Sequence, residues 1–256
     1  MPESPNIIFG TNPVLEKLRA SADEIEEILI AETAQSAAMR MIVQTAAALG
    51  LRAVRVPSRT LDRLAGGYRH QGVVARVASF RYHPFEALLE LLGTDLAPNW
   101  IIALDGLTDP RNFGALLRTA EAAGVSHIVI AKDRAVEVTP VVVKASAGAT
   151  HYLKISKVTN LRRAVAELKE RGYWAVGLDG HSAESIYDRA MPERLIIVLG
   201  AEGKGLRPLT LRECDFVLSI PMLGKIASLN VAVAGAVFLY ELVRQRKIID
   251  KGSGKR

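Results

Sequence analysis

Four short, strongly apolar segments in the second half of the chain constrain the fold more than any other feature. They lie at residues 100–104, 128–131, 173–178 and 195–199, and helical patterns lie between them. Strands this apolar are buried on both faces, which is typical of a parallel sheet covered by helices on each side. We therefore predict an α/β domain with a parallel sheet and helices on both faces.

Residues 1–82 show a second, smaller alternation of strand and helix patterns. Strands are predicted at 25–31, 52–56 and 73–80, and helices from Thr11 and at 34–49. We expect a compact α/β domain here, because the elements are short and closely spaced. The predicted organisation is this small domain at 1–82, a linker at 83–98 that begins with a connecting helix at 83–92, the larger domain at 99–246 and a basic tail at 247–256.

Positive charge is concentrated in two short segments. Residues 51–82 carry +6 and residues 244–256 carry +5, whereas residues 1–50 carry −4 and residues 83–243 carry −1. Arginine can contact phosphate through two parallel hydrogen bonds, so an arginine-rich segment is compatible with nucleic-acid binding. Charge alone also allows an ordinary solvated face. The basic residues at 51–82 are all arginines: Arg52, Arg55, Arg59, Arg63, Arg69, Arg76 and Arg81.

Composition narrows the class of protein. No apolar run approaches the roughly 20 residues that cross a bilayer, and the first ten residues lack the pattern of a secretion signal. The single cysteine, Cys214, excludes an internal disulfide and a multi-cysteine metal site. The scattered histidines show no metal-ligand spacing. We expect a cytoplasmic protein without a metal.

Three loops that follow predicted strands carry the residues suited to chemistry, since ligands of parallel sheets bind at the carboxyl ends of strands. The first loop leads to Asn112 and Arg118, which could instead serve as a helix cap and a salt-bridge partner. The second is rich in glycine and contains Glu202, but it lacks both the Walker and the dinucleotide fingerprints. The third places Ser228 and Asn230 at the start of the last helix, where capping is the simpler interpretation.

Taken together, these loops resemble the three ordered motifs of the SpoU (TrmH-type) RNA 2′-O-ribose methyltransferases, members of the SPOUT superfamily. The matching segments are DPRNFGALLRTA at 109–120, LGAEGKGL at 199–206 and IPMLGKIASLNV at 220–231. Three motifs in the right order are far more specific than any one of them. The first domain resembles the ribosomal-protein-like substrate-binding domain of the ribosomal-RNA branch, through FGTNPV at 9–14 and RHQGVVAR at 69–76.

The resemblance implies a C-terminal domain whose chain forms a trefoil knot, and a homodimer with its active site near the interface. It also implies S-adenosyl-L-methionine as cofactor. The residues expected to bind it are Leu199, Gly200, Ala201, Ile220, Met222 and Leu229.

The resemblance further implies that Asn112, Arg118, Glu202, Ser228 and Asn230 line the catalytic site. A guanidinium hardly deprotonates in proteins, so we interpret Arg118 as an electrostatic group and not as a general base. It would hold the phosphate beside the target ribose and stabilise the developing alkoxide.

The expected substrate is RNA. The target that the resemblance favours is a guanosine of 23S rRNA near the peptidyl-transferase centre. Transfer RNA is an alternative substrate within the family, and a non-catalytic RNA-binding protein is an alternative of another class. RNA contacts are expected from Arg52, Arg55, Arg59, Arg63, Arg69, His70 and Gln71.

Overall fold

The computed structural model describes residues 6–133, 135–201, 205–226 and 228–252, with side chains up to residue 246. The strands are β1 (Ile7–Phe9), β2 (Ile25–Ala31), β3 (Ala53–Val56), β4 (Val73–Val77), β5 (Trp100–Asp105), β6 (His127–Ala131), β7 (Lys154–Val158), β8 (Trp174–Leu178), β9 (Leu195–Gly200) and β10 (Phe216–Leu218). The helices are α1 (Thr11–Ala20), α2 (Ala37–Ala48), α3 (Ser58–Leu64), α4 (Phe85–Leu91), α5 (Pro110–Ala122), α6 (Pro140–Ala145), α7 (Leu161–Lys169), α8 (Pro208–Leu211) and α9 (Val231–Gly252).

The chain divides into two compact units. The first contains the described residues up to Arg81 together with Glu137–Tyr152, and the second contains Tyr82–Val136 and the described residues from Leu153 onward. In the described part of the chain, no helix has both the length and the apolar character needed to cross a membrane.

The first unit is a four-stranded sheet in the order β1-β4-β2-β3. Strands β2 and β3 are parallel, and the other neighbours are antiparallel. Its main core is formed by one face of the sheet, helices α1 and α2, and Val143 from α6. Helix α3 closes a smaller cluster, in which Leu61 is fully buried. The unit is therefore built from two segments that lie far apart in the sequence.

The second unit is a six-stranded sheet in the order β10-β8-β9-β5-β6-β7, and every neighbouring pair is parallel. Ile101 and Ile102 point to opposite faces of β5, and both are fully buried. One face is covered by α4 and α7. On the other face, the close approach of Gly235 to Leu116 and Leu199 shows α9 packed against α5 and β9. The predicted parallel sheet with helices on both sides is confirmed.

Three predicted segment boundaries differ from the structure. The helix expected in the linker at 83–98 is present as α4, but it is part of the second unit, because Phe85 and Leu88 are buried in the core of that unit. Residues 137–152 were expected in the larger domain, but they belong to the first compact unit. The predicted tail at 247–256 begins inside α9, and its last four residues lie outside the described residues.

Buried His127, the first residue of β6, makes the second unit sensitive to acid. Burial first, and then the charges of Lys154 and His83, lower its pKa from 6.5 to about 4. Between these two values the unfolded chain binds a proton that the folded protein excludes. Stability is therefore fully present above pH 6.5 and is lost as the pH falls towards 4.

We predict that His127→Gln weakens this loss of stability with acid. The measurement is the free energy of urea unfolding at pH 7 and at pH 5, for the wild type and the variant. The wild type should lose more stability than the variant between the two pH values, because Gln cannot take up the proton. Between pH 7 and 8 the two should show the same pH dependence. An equal loss in both proteins at pH 5 would contradict the assignment.

Candidate active site

The three loops singled out in the sequence meet at one edge of the second sheet, together with the loop after β8. Strands β8, β9 and β5 are consecutive neighbours and run in the same direction. Their carboxyl ends at Leu178, Gly200 and Asp105 therefore lie side by side. The loop after β10 returns to the same region before α9 begins.

A cavity of about 250 Å³ lies at this edge. Its walls include all six residues predicted to bind the cofactor: Leu199, Gly200, Ala201, Ile220, Met222 and Leu229. Ser228, predicted as a catalytic residue, also lines the cavity. A mostly apolar cavity with a few polar groups is typical of a site for a small organic ligand.

The glycine-rich second loop needs Gly200 for a close backbone approach. A Cβ atom at this position would lie 2.2 Å from the backbone of Gly205, so no other residue fits without a shift of the loop. Ala201 and Gly205 exchange two backbone hydrogen bonds of 3.1 and 2.9 Å, which close the loop. Glu202, the predicted catalytic residue of this loop, lies outside the described residues.

Sequence reasoning missed the polar residues that follow β8. Asp179, Gly180 and His181 line the cavity, and the Asp179 carboxylate accepts a hydrogen bond of 2.9 Å from the His181 backbone N–H. Asp179 and His181 are the ionisable residues among the described lining. The signal was present, because a polar segment follows an apolar strand here as it does in the three loops that were chosen.

A hydrogen bond joins the first and third motifs. The Asn230 Nδ2 group donates to Asn112 Oδ1 at 2.9 Å, across a sequence separation of 118 residues. Asn230 Oδ1 accepts from the Ala232 backbone N–H at 2.9 Å, so Asn230 also caps α9, as the capping interpretation expected. The cap of α5 is Asp109 and not Asn112, because the Asp109 carboxylate accepts from the Asn112 N–H at 2.7 Å.

Arg118 lies on the outward face of α5. The neighbouring Leu116, Leu117 and Ala120 are buried, whereas Arg118 is exposed. Within the part of the chain that the structure describes, no hydrogen bond or ion pair holds its guanidinium. The salt-bridge interpretation thus finds no partner among these residues, and the group is available to an anion.

A second cavity, of about 530 Å³, adjoins the first and shares Ala201 and Gly205 as its wall. Asp105, only 2% exposed, accepts the Arg207 backbone N–H at 3.1 Å, and its carboxylate lies 3.4 Å from Arg207 Nε. This buried carboxylate connects the loop after β5 to the loop after β9. It keeps the two strand ends together beside the first motif.

The residues predicted to contact RNA all belong to the first unit. Five arginines are exposed: Arg52, Arg55, Arg59, Arg63 and Arg69. His70 and Gln71 instead have clear structural contacts. The His70 ring bonds the Asp62 carboxylate at 3.0 Å and accepts from the Gly72 N–H at 3.0 Å, and Gln71 Oε1 accepts from the Thr11 N–H at 3.1 Å. These two side chains hold the loop that carries Arg69.

The single cysteine is not suited to nucleophilic catalysis. Burial raises the pKa of the Cys214 thiol to about 12, which keeps it protonated and a poor nucleophile. Among the described residues, no three His, Cys, Asp or Glu side chains are grouped so as to hold a metal ion.

Comparison with known proteins defines the class. Residues 99–240 match the model of the SpoU rRNA Methylase family, and residues 7–83 match the model described as RNA 2′-O ribose methyltransferase substrate binding. The chain therefore belongs to the SpoU rRNA methylase family.

Two named proteins are similar in sequence over nearly their whole length, and one solved structure has the same fold. A protein of Bordetella pertussis named 23S rRNA (guanosine-2′-O-)-methyltransferase RlmB is 42% identical, over 95% of this chain and 99% of that protein. A Bacillus subtilis protein named putative TrmH family tRNA/rRNA methyltransferase YacO is 38% identical, over 98% of this chain and 100% of that protein. The crystal structure of the SpoU methyltransferase AviRb from Streptomyces viridochromogenes with the cofactor AdoMet has the same fold, with a TM-score of 0.76, 23% identity and coverage of 96% and 92% of the two chains.

We predict that the bond between Asn112 and Asn230 stabilises the second unit by about 1 kcal/mol. Asn230→Ser keeps an oxygen that caps α9 but is too short to reach Asn112. This variant and Asn112→Ala should each lower the free energy of urea unfolding. The double variant should lose less than the sum of the two losses, because both remove the same bond. Additive losses would show that the two side chains are not coupled.

Proposed function

We propose that this protein transfers the methyl group of S-adenosyl-L-methionine to a ribose 2′-hydroxyl of RNA, at a guanosine of 23S rRNA near the peptidyl-transferase centre. One observation carries the proposal: the Asn112–Asn230 hydrogen bond joins the first and third motifs beside the cavity that contains all six predicted cofactor residues. The 42% identity to a protein named as a 23S rRNA guanosine methyltransferase supports the substrate.

The described lining of the first cavity fits an adenosine-containing cofactor. Leu199, Ile220 and Leu229 offer apolar surfaces to a purine ring, and the close backbone approach at Gly200 leaves main-chain groups near the ligand. The Asp179 carboxylate offers an acceptor for a hydroxyl or ammonium group. When bound, S-adenosyl-L-methionine supplies an electrophilic methyl group on a sulfonium centre.

The chain's own residues then position and polarise the RNA. In the proposed arrangement Arg118 holds the phosphate next to the target ribose and stabilises the negative charge that develops on the 2′-oxygen. A guanidinium stays protonated, so it acts by its charge and its hydrogen bonds. Asn112 and Glu202 orient Arg118 and the ribose, and Ser228 and Asn230 hold the third loop and the RNA. Precise positioning of this kind is a large part of catalysis in methyl transfer.

The same proposal includes a trefoil knot in the second unit. Ser219 donates to the Glu184 carbonyl and Ser182 donates to the Val217 carbonyl, which binds the loop 179–194 to the end of β10. Gln245 of α9 bonds Met191 and Arg189 at the other end of that loop. Contacts of one loop with chain segments on both sides of residues 220–230 support threading of that segment through the loop.

A homodimer formed through α9 is also part of the proposal, with the protein acting in the cytoplasm, where its RNA substrate is expected. Val233 and Tyr240 are 48% and 51% exposed on α9, and Val237 lies between them on the same side of the helix. An apolar stripe of this kind on a helix whose other face is buried favours a second copy as its partner. Arg118 on the adjacent α5 would then lie close to that interface.

We predict that Arg118→Ala lowers the methylation rate by about a hundred-fold or more. Removal of one group that stabilises a developing oxyanion has an effect of this size in other enzymes. The affinity of the variant for S-adenosyl-L-methionine should stay close to that of the wild type, because Arg118 does not line the cavity. The assay uses radiolabelled cofactor and protein-free ribosomal RNA. Arg163→Ala removes another exposed arginine, from α7, and is the matched control with unchanged activity.

The same assay tests the substrate, with unmodified transfer RNA offered beside ribosomal RNA. Preferential methylation of transfer RNA would reject ribosomal RNA as the substrate. It would favour transfer RNA, which the name of the Bacillus subtilis relative also mentions. Methylation by Arg118→Ala at the wild-type rate would reject the catalytic role of Arg118. Failure of the wild type to bind the cofactor at all would favour a non-catalytic RNA-binding protein.

We predict that Tyr240→Glu, alone or with Val233→Glu, converts the protein from a dimer to a monomer. A charge at the centre of a buried apolar interface loses its hydration without gaining a partner. Light scattering at micromolar concentration measures the mass. Leu209→Lys on α8 changes a residue that is 57% exposed and lies outside the stripe, so it should remain dimeric. A wild-type protein that is already monomeric at that concentration refutes the interface.

A further inference from the structure

Tyr68 is an exposed aromatic residue in the first unit whose ring is fixed in place. It stacks on Phe9 with ring centroids 5.7 Å apart and an interplanar angle of 19°. Phe9 is 2% exposed, whereas Tyr68 is 47% exposed. One face of the Tyr68 ring therefore packs on a buried residue, and the ring keeps a large accessible surface.

The loop that carries Tyr68 is held by several independent hydrogen bonds. Gly66 and Gly67 have φ values of 59° and 81°, a left-handed conformation that favours glycine, and they turn the chain after α3. The Tyr68 N–H donates to the Ala65 carbonyl at 3.0 Å. His70 and Gln71 fix the other side of the loop through the contacts described above. A surface that is ordered before binding loses less entropy when it binds a ligand.

One cation, Lys144, lies beside this aromatic pair, and a second, Arg69, directly follows Tyr68 in the chain. The Lys144 ammonium is 4.9 Å from the centroid of the Phe9 ring and donates a hydrogen bond to the Arg69 carbonyl. Burial, and then the charge of Arg69, lower the pKa of Lys144. Asp62, an acidic residue on neighbouring α3, has its carboxylate engaged with His70. The ammonium of Lys144 and the guanidinium of Arg69 repel each other, and an anion bound between them would relieve this repulsion.

We propose that Tyr68, Arg69 and Lys144 form a platform that binds one unpaired nucleotide of RNA, with the base stacked on Tyr68 and its phosphate held by the two cations. The proposal rests on RNA being the substrate, as proposed above, and it assigns contacts outside the methyl-transfer site. An aromatic face next to basic groups is the usual arrangement for single-stranded RNA, because every base has a face that can stack. The platform gains Lys144 from α6, far from the arginine-rich segment in sequence.

An apolar protein partner fits this surface less well. Its aromatic area is a single ring, and the groups beside it are cationic, so a partner would need an anion as well as a flat hydrophobic group. A nucleotide supplies both within one unit. The flanking glycines Gly66 and Gly67 have open space at their Cβ positions, so a backbone phosphate can approach the loop closely.

The test measures the affinity of the full-length protein for a single-stranded oligoribonucleotide with one 2-aminopurine, without cofactor. Tyr68→Leu keeps an apolar contact with Phe9 but has no aromatic face, and it should weaken binding about five-fold or more and abolish the quenching that stacking produces. Tyr68→Phe and Tyr68→Trp should bind like the wild type. Tyr187→Ala removes an exposed tyrosine of the second unit, 54% exposed, and is the control with unchanged affinity.

Lys144→Gln supplies a second, independent readout. Loss of one phosphate contact should lower the slope of log affinity against log salt concentration by about 0.7, the value for single-stranded nucleic acid. Lys144→Arg should restore the slope. A merely structural role for Lys144 would change stability and leave the slope as it is.

The outcomes separate the platform from the proposed function. Wild-type affinity and quenching in Tyr68→Leu would falsify the platform even if the enzyme methylates ribosomal RNA. Equal weakening by Tyr187→Ala would overturn it too, because the effect would not be specific to this surface. Weak RNA binding in Tyr68→Leu together with a wild type that binds no S-adenosyl-L-methionine would support the platform and reject the methyltransferase proposal.

Discussion

Parallel pairing of the three central strands β8, β9 and β5 is the constraint on which the candidate site depends. Ile102, Ile197 and Val176 are fully buried in these strands, so each strand is fixed by contacts on both faces. Full burial of such a side chain contributes about 1.5–3 kcal/mol, which makes a shift in register very unfavourable. Because the register is fixed and the strands share a direction, the loops after them are brought to one edge of the sheet.

The site built at that edge uses backbone shape as much as side chains. Gly200 lies so close to Gly205 that a side chain at position 200 does not fit, and the buried Asp105 carboxylate fixes Arg207 and the start of α8 next to it. The Asn112–Asn230 bond then joins α5 to α9. These three contacts connect the ends of β5 and β9 to the starts of α5, α8 and α9 next to the cavity.

Much of the fold could be predicted from the sequence, since strongly apolar strands such as β5 and β9 have few alternatives. Strand β7 was missed because its two lysines and a serine interrupt the apolar pattern, although Ile155 and Ser156 are buried. Capping of α5 was considered for Asn112, but the cap is Asp109, three residues earlier; both residue types are good caps, so spacing alone does not separate them. The expectations of a knot and of a cofactor came only from the family resemblance, since periodicity carries no information on threading or on ligand identity.

The membership of α6 in the first unit shows why local pattern cannot define a compact unit. Val143 is 6% exposed and packs in the core of the first unit, and the next residue, Lys144, emerges beside Phe9. Burial of the valine therefore determines where the ammonium lies, and a change that loosens Val143 would also displace the cation. Sequence reasoning located positive charge only in the segments 51–82 and 244–256, so it did not find a lysine that reaches the first unit from a segment between β6 and β7. Contacts of this type depend on tertiary packing, and a charge count along the chain cannot reveal them.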